Sequence, residues 1–260
     1  MNENLSYFKS SVESDLYIGK GAGKKLLHDI ENAQKSVKIV SPFLSPDYIK
    51  ILIELKEKGL DIKLITSDEI EDYKDRNKII YQLIKQIVVT DKKSETQRDK
   101  LIKLKNWFIA SFVLSIFLSI SLGYFASSIF YYGLILSVLL CLLLYFTDRM
   151  IRYKRIYNYH YEQLFPFKVF ISPQRTNYSI QKSFYIHSKI YIIDDTIAYL
   201  GSVNFSKSGF FYNFESRIRI TDKETISELK NLFEELFENE DNISIQTEFW
   251  GKQLYREPIN

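Results

Sequence analysis

One cysteine in 260 residues, Cys141, excludes an internal disulfide framework and any site held by several cysteines. It lies in the most apolar stretch of the chain, where a small buried hydrophobe is expected rather than a reactive thiol. An excess of one charge is also missing: 35 basic against 32 acidic residues leave a net +3, too little to identify an anionic partner. The N-terminal MNENLSYFKSSVESDLY lacks the apolar core of a secretory signal, so nothing in it predicts export. Internal repeats and low-complexity tracts are absent as well. The length predicts one substantial core in one or two domains.

A more informative absence is local. Between Lys105 and Asp148 about 42 residues pass without a charge, roughly 63 Å as helix, or close to two crossings of a ~30 Å hydrocarbon layer. The expected arrangement is a hairpin of two transmembrane helices in the bilayer, about Trp107 to Phe125 and Ile129 to Phe146, turning within GYFASS (123–128). Trp107, Tyr124, Tyr131, Tyr132 and Tyr145 then fall near the interfaces, where amphipathic rings gather. Lys100, Lys103 and Lys105 precede the hairpin and Arg149, Arg152, Lys154 and Arg155 follow it, while its turn is uncharged. The positive-inside rule puts both flanks and both termini, and with them the rest of the chain, on the cytoplasmic side. A buried helical hairpin in a soluble protein is the competing account, disfavoured because so long a run is costly to bury in so small a chain.

Outside the hairpin the pattern is α/β. Ser36 to Val40 (SVKIV) is a short β-rich run, Pro46 to Lys58 has helical periodicity ended by Gly59, and Leu60 to Thr66 alternates like a second strand. This βαβ unit predicts a parallel pairing. Phe167 to Ile171, Phe184 to Ile193, Ile197 to Leu200 and Phe214 to Ile220 are strand-like. Thr221 and Glu224 form a candidate capping box for an amphipathic helix bearing Ile226, Leu229, Leu232, Phe233 and Leu236. Asp68 to Lys105 and Asp148 to Leu164 are expected to be mostly helical stalks. The division is 1–105, the hairpin 106–147, and 148–260.

The chemistry concentrates in His187 to Asn204, HSKIYIIDDTIAYLGSVN. On a strand, residues two apart share a face, so His187 and Lys189 are expected to project together while Ser188 points away. Asp194, Asp195 and Thr196 suit a hairpin turn that returns Gly201, Ser202 and Asn204 beside them. Phosphodiester cleavage needs a nucleophile for phosphorus, donors for the nonbridging oxygens and an acid for the leaving group. His187 can be the first, Lys189 with Asn204 the second, and Ser202 a further donor. Singly, a strand histidine or a Gly-Ser pair is more often structural.

Together these positions match HxKxxxxDxxxxxxGSxN at every specified place, and the chain resembles the phospholipase D superfamily. The run from Ile30 to Thr66 is similar to the first βαβ of the same domain. The resemblance implies a phospholipase D-like mixed sheet flanked by helices, here interrupted by the hairpin. It implies a phosphodiesterase, a hydrolase with a covalent phosphohistidine intermediate and no metal ion or other cofactor. It further implies that an acidic residue shortly after GSxN orients the histidine, a role Glu215 fits, and that Asp194 supports the loop rather than touching phosphate. Ser41 and Phe43, at a strand's C-terminal end, are read as a structural loop.

A second HxK is missing: His28 and His160 have no lysine two positions later. Half a site in one chain implies a homodimer sharing one active site, or else a partner protein carrying the second motif. Nucleic acid is the expected substrate, membrane phospholipid the alternative for a phospholipase D or phosphatidyl transferase, and a non-catalytic membrane scaffold a third reading. Gly19 to Lys25 (GKGAGKK) resembles a phosphate loop but is one residue short and lacks the following Ser or Thr, so it is read as a solvated helix start.

Overall fold

The computed structural model describes residues 9–10, 12–67, 79, 81–123, 127–170, 186–238 and 246–260. Its strands are β1 (Ser14–Lys20), β2 (Ser36–Val40), β3 (Asp61–Ser67), β4 (Ile84–Thr90), β5 (Tyr157–Gln163), β6 (Phe167–Phe170), β7 (Lys189–Ile193), β8 (Ile197–Gly201) and β9 (Phe214–Ile220). Its helices are α1 (Lys24–Glu31), α2 (Pro46–Glu57), α3 (Lys92–Gly123), α4 (Ser127–Tyr153), α5 (Lys223–Glu238) and α6 (Thr247–Leu254). The chain divides into two compact units, Met1–Lys85 with Tyr161–Tyr255, and Gln86–His160 with Arg256–Asn260.

The first unit is built on a mixed sheet of seven strands in the order β1-β9-β8-β7-β2-β3-β6. β2, β3 and β6 run parallel, as the βαβ pattern predicts, and the β2–β7, β7–β8, β8–β9 and β9–β1 pairings are antiparallel. Period-2 alternation sends Val37, Ile39, Leu64, Tyr191 and Tyr199 to one face, where they pack with Leu26 and Ile30 of α1 and Leu52 and Leu55 of α2. Val40, Ile65, Ile192 and Ala198 point to the other face, against Ile226, Leu229, Phe233 and Leu236 of α5. The amphipathic stripe read from the sequence is therefore the buried stripe, except that the cap belongs to Asp222. Its carboxylate accepts from Thr225 N at 2.8 Å and Thr225 Oγ1 at 2.5 Å, because a short ionised side chain one residue later than Thr221 reaches the free N–H groups of the first turn.

Two further expectations change. Each stalk contains a strand: among the described residues 68–105 is helical except for β4 at 84–90 and Asp91, whereas in 148–164 β5 occupies 157–163, and the two strands pair with each other. IKQIVVT is rich in β-branched residues and YNYHYEQ alternates aromatic and polar side chains, which suits a ribbon better than a helix. β7 starts at Lys189 rather than Phe184, and 171–185 lie outside the described residues. So do Tyr124 and the centre of the expected turn at 123–128.

In the second unit α3 and α4 are long and apolar enough to cross a membrane, and their apolar stretches are only 6% and 11% buried. A soluble core hairpin would show the opposite. Trp107, Phe117, Ile120, Tyr132 and Ile135 are among the side chains turned outward. Cys141 is exposed with them rather than buried, since the apolar surface of this hairpin faces away from its own contact seam. That seam is made of small polar residues: Ser115 and Ser137 hydroxyls lie 2.8 Å apart. A Cβ on Gly133 would fall 1.8 Å from Ser119 Oγ, so only glycine permits this approach. At the charged end Asp148 accepts from Lys105 at 2.5 Å and from Arg152 at 2.6 Å.

The β7–β8 connection in the first unit is a tight turn of three residues, 194–196. Asp194 and Asp195 have φ of 55° and 54°, and Thr196 N donates to Ile193 O at 3.0 Å, the geometry whose twist matches a hairpin. Asp195 then lies 3.1 Å from Lys38 Nζ, a side chain only 3% exposed, and 2.5 Å from Lys230 Nζ on α5. Burial opposes ionisation of Asp195, but hydrogen bonds from Lys230 and Lys38 outweigh it and hold the carboxyl below its usual range. Stability from this cluster is present above the ordinary Asp value and is lost as pH falls through the lowered one. Asp195→Asn keeps the left-handed turn and removes the charge, stranding Lys38. Urea unfolding is expected to show a loss of about 2–3 kcal/mol at neutral pH, largely recovered by adding Lys38→Met.

Candidate functional site

β7 is antiparallel to β2, with Val40 opposite Ile190, so the residues that enter β7 lie at the C-terminal edge of the parallel strands. Open α/β sheets take ligands at that edge. Lys189 is the first residue of β7 and pairs with Gly201, the last of β8, which brings HSK and GSVN to the same end of one hairpin.

Lys189 is buried on the α1/α2 side of the sheet and His187 is exposed just ahead of the strand. They meet differently from two neighbours on one strand face. The lysine turns back so that Nζ donates to His187 O at 2.8 Å and stands 3.3 Å from Nδ1 and 3.4 Å from Nε2 of the ring. A cation is thereby fixed beside an accessible imidazole. Burial lowers the Lys189 pKa, and the negative charge of Glu215 opposes that shift without cancelling it.

Glu215, at the start of β9, is buried. Its Oε2 accepts the Ser202 hydroxyl proton in a short hydrogen bond, and its Oε1 accepts from Asn213 Nδ2 at 3.1 Å. Ser202 Oγ in turn accepts from Ser216 N at 3.0 Å. The Ser202 hydroxyl, expected to donate to phosphate, thus has its proton engaged by the carboxylate expected to orient the histidine. Gly201 makes this crossing possible: its φ is +154°, and a Cβ would sit 2.2 Å from Ser216 O.

Asn204 lies in the loop after β8, and that loop is tied down on both sides. Tyr191 OH donates to Val203 O at 2.7 Å, Phe205 N donates to Ser41 Oγ at 3.0 Å, and Lys207 N donates to Ser45 Oγ at 3.2 Å. Tyr48, Phe205 and Phe210 pack their rings beneath it, with centroids 4.8–6.0 Å apart. The Asn204 Oδ1 atom, by contrast, is buried with no hydrogen-bond partner among the described residues. Such an acceptor costs about 1–3 kcal/mol unless a water or another group meets it.

Asp194 is not brought to this cluster. It closes the other end of the hairpin, seven residues from His187 and roughly 20 Å away along the strand. There its carboxylate accepts from Gln34 N, Lys35 N and Ser36 N at 2.7–3.0 Å. Ser41 is structural as read, since its hydroxyl also donates to Phe43 O at 2.8 Å. The glycine-rich segment before α1 is less solvated than expected: Ala22 is buried, and Gly23 packs its backbone on Phe210 and Val203. Sequence reading missed Tyr191, Asn213 and Ser216. Tyr191 was within reach, being two residues past Lys189 on the same strand face, whereas the other two are visible only once β8 and β9 are paired.

Residues 149–237 match the family model described as cardiolipin synthase, PLD-like domain. No curated protein matches the chain. Among solved structures, NucT from Helicobacter pylori is 16% identical over 90% of this chain and 100% of its own, with a TM-score of 0.47. Nuc from Salmonella typhimurium, a phospholipase D family member, is 14% identical over 90% and 99%, with a TM-score of 0.41. Phosphatidylserine synthase from Haemophilus influenzae is 10% identical over 96% of this chain and 44% of its own, with a TM-score of 0.44.

The buried ammonium has a measurable signature. Because burial penalises the charged form, Lys189 releases its proton below the ordinary lysine value of 10.5. Between the lowered value and 10.5 the unfolded chain holds the extra proton, so raising pH through that window favours the folded state. NMR of lysine side chains labelled at Cε is expected to show one resonance, absent in Lys189→Met, that titrates ahead of the exposed lysines. A Lys189 resonance titrating with the rest would contradict the burial argument.

Proposed function

We propose that the chain, whose residues 149–237 match a PLD-like domain model, is a phospholipase D superfamily phosphodiester hydrolase working through a covalent intermediate on His187. The observation that carries the reading is the Lys189 ammonium held 3.3–3.4 Å from both ring nitrogens of an exposed histidine. A ring nitrogen of His187 attacks phosphorus and the bond to the leaving oxygen breaks. Lys189 and the Asn204 amide bind the nonbridging oxygens, where negative charge grows. Glu215, positioned by Ser202 and Asn213, balances the lysine charge within the buried part of the site. Water then displaces the histidine from phosphorus. Asp194 acts at a distance, by fixing the hairpin.

The leaving oxygen needs a proton, and the chain has no second HxK to supply it. His28 is on α1 against Asp29, and His160 is on β5. We therefore assign the acid to His187 of a second copy, in a two-fold dimer whose two histidines share one site. The α3–α4 hairpin anchors the enzyme in a bilayer, with its basic flanks cytoplasmic. Nucleic acid is the preferred substrate. The two apolar helices favour a second reading, a phospholipid headgroup substrate, since they would hold the site near a membrane surface.

The test is a parallel assay of wild type and His187→Ala on single-stranded DNA, duplex DNA, RNA and phospholipid vesicles, all with EDTA. Wild type is expected to cleave nucleic acid under chelation, and His187→Ala to lose at least about a thousandfold in kcat. Loss of all activity with EDTA would sink the metal-free mechanism, and cleavage of lipid alone would reverse the substrate preference. Mass measurement in detergent should give a dimer; an active monomer would remove the shared site.

A further inference from the structure

Four residues in direct register form one row across the sheet. Lys189 on β7 pairs with Gly201 on β8, Gly201 with Arg217 on β9, and Arg217 with Tyr17 on β1. All lie on the α1/α2 face, so the row reads cation, no side chain, cation, aromatic ring. At about 4.8 Å per strand, Arg217 stands roughly 10 Å from Lys189.

Arg217 differs from its neighbour two residues on. Arg219, on the same face, is neutralised by Asp29 at 3.4 Å and Asp15 at 3.8 Å. Arg217 has no carboxylate partner among the described residues, and its Nε is buried without a hydrogen bond. Its guanidinium carbon lies 5.5 Å from the Tyr17 ring centre and 5.4 Å from that of Tyr199, which holds the side chain in place while leaving its donors unused. Both oxygens of Glu215, the nearest acid on the strand, are taken by Ser202 and Asn213. Lys20, at the end of β1, and Lys24, which opens α1, are also exposed and without an acid partner among the described residues.

We propose that Arg217 binds a second phosphate of the substrate, next to the one attacked by His187, and that Tyr17 offers its exposed ring to the adjoining base. The inference rests on the phosphodiesterase reading and narrows its substrate to a polynucleotide strand. A lipid headgroup with one phosphodiester fills only the Lys189 end of the row. A strand presents phosphates in series, and each has a π-face of base beside it.

The test uses the full-length chain in detergent, with bis(p-nitrophenyl) phosphate, a single-stranded oligonucleotide and phosphatidylglycerol vesicles. Arg217→Gln is expected to raise KM for the oligonucleotide about tenfold more than KM for the one-phosphate reporter, with kcat on the oligonucleotide much less affected. Arg217→Lys should recover most of that loss. The slope of oligonucleotide binding against the logarithm of salt concentration should become shallower by about 0.7 in Arg217→Gln. Equal effects on both substrates overturn the assignment, because a structural role would not distinguish them. If Arg217→Gln does not fold, wild type decides: a trinucleotide with two internal phosphates should compete about tenfold better than a dinucleotide with one, and equal competition overturns the proposal. Wild type that hydrolyses the reporter and vesicles but not the oligonucleotide sinks the nuclease reading itself, whereas oligonucleotide cleavage unaltered by Arg217→Gln sinks only the second-phosphate site.

Discussion

The β7–β8 hairpin is held in register from its closed end, and the geometry at its open end depends on that register. Asp194 accepts from three consecutive backbone N–H groups, Gln34, Lys35 and Ser36, which join the entry of β2 to the turn. Asp195 adds Lys38 of β2 and Lys230 of α5 to the same point. A slip of one residue would move Lys189 from the α1/α2 face to the α5 face, because side chains alternate with period 2. The carboxylates at the turn therefore decide where the ammonium stands, although they are remote from it. This gives physical content to the aspartate of the motif: it acts through alignment, not contact.

At the open end polar groups are buried in pairs that satisfy one another. Glu215 is met by Ser202 and Asn213, Ser202 also by the backbone of Ser216, and the loop carrying Asn204 by Tyr191, Ser41 and Ser45. Asn204 Oδ1 and Arg217 Nε are among the buried atoms without a partner among the described residues. Gly201 lies between Lys189 and Arg217 in the ladder, and its missing side chain both allows β8 to approach β9 and keeps the row open.

The second unit follows different rules. In α3 and α4 the large apolar side chains face outward and serines and Gly133 form the seam, an inversion of the first unit, where leucine, isoleucine and aromatic side chains fill both faces of the sheet. The inversion is the packing expected when lipid rather than water surrounds a helix pair. The long uncharged run announced it, but Cys141 shows the limit of that reading: composition says a residue is in apolar surroundings without saying whether those surroundings are protein.

Much of the fold was legible because it is local. SVKIV and the helix after Pro46 are marked by period and by a helix-starting proline, and their boundaries agree with β2 and α2 to within a residue. The motif fixed which residue types would be present and that His187 and Lys189 would be close. Where sequence reading failed, the deciding contact was distant. β4 and β5 stabilise each other across the hairpin insertion, the cap at Asp222 depends on which carboxylate reaches the first turn, and Arg217 in ESRIRI looks no different from Arg219 until β1, β8 and α1 are in place. The sequence by itself determined the HxK and GSxN motif residues and the apolar hairpin, because spacing and composition are properties of the chain. Only tertiary structure decided that Ser202 serves Glu215, that Asp194 serves the register, and that one arginine of two is left without a counter-ion among the described residues, because those are properties of which side chains meet.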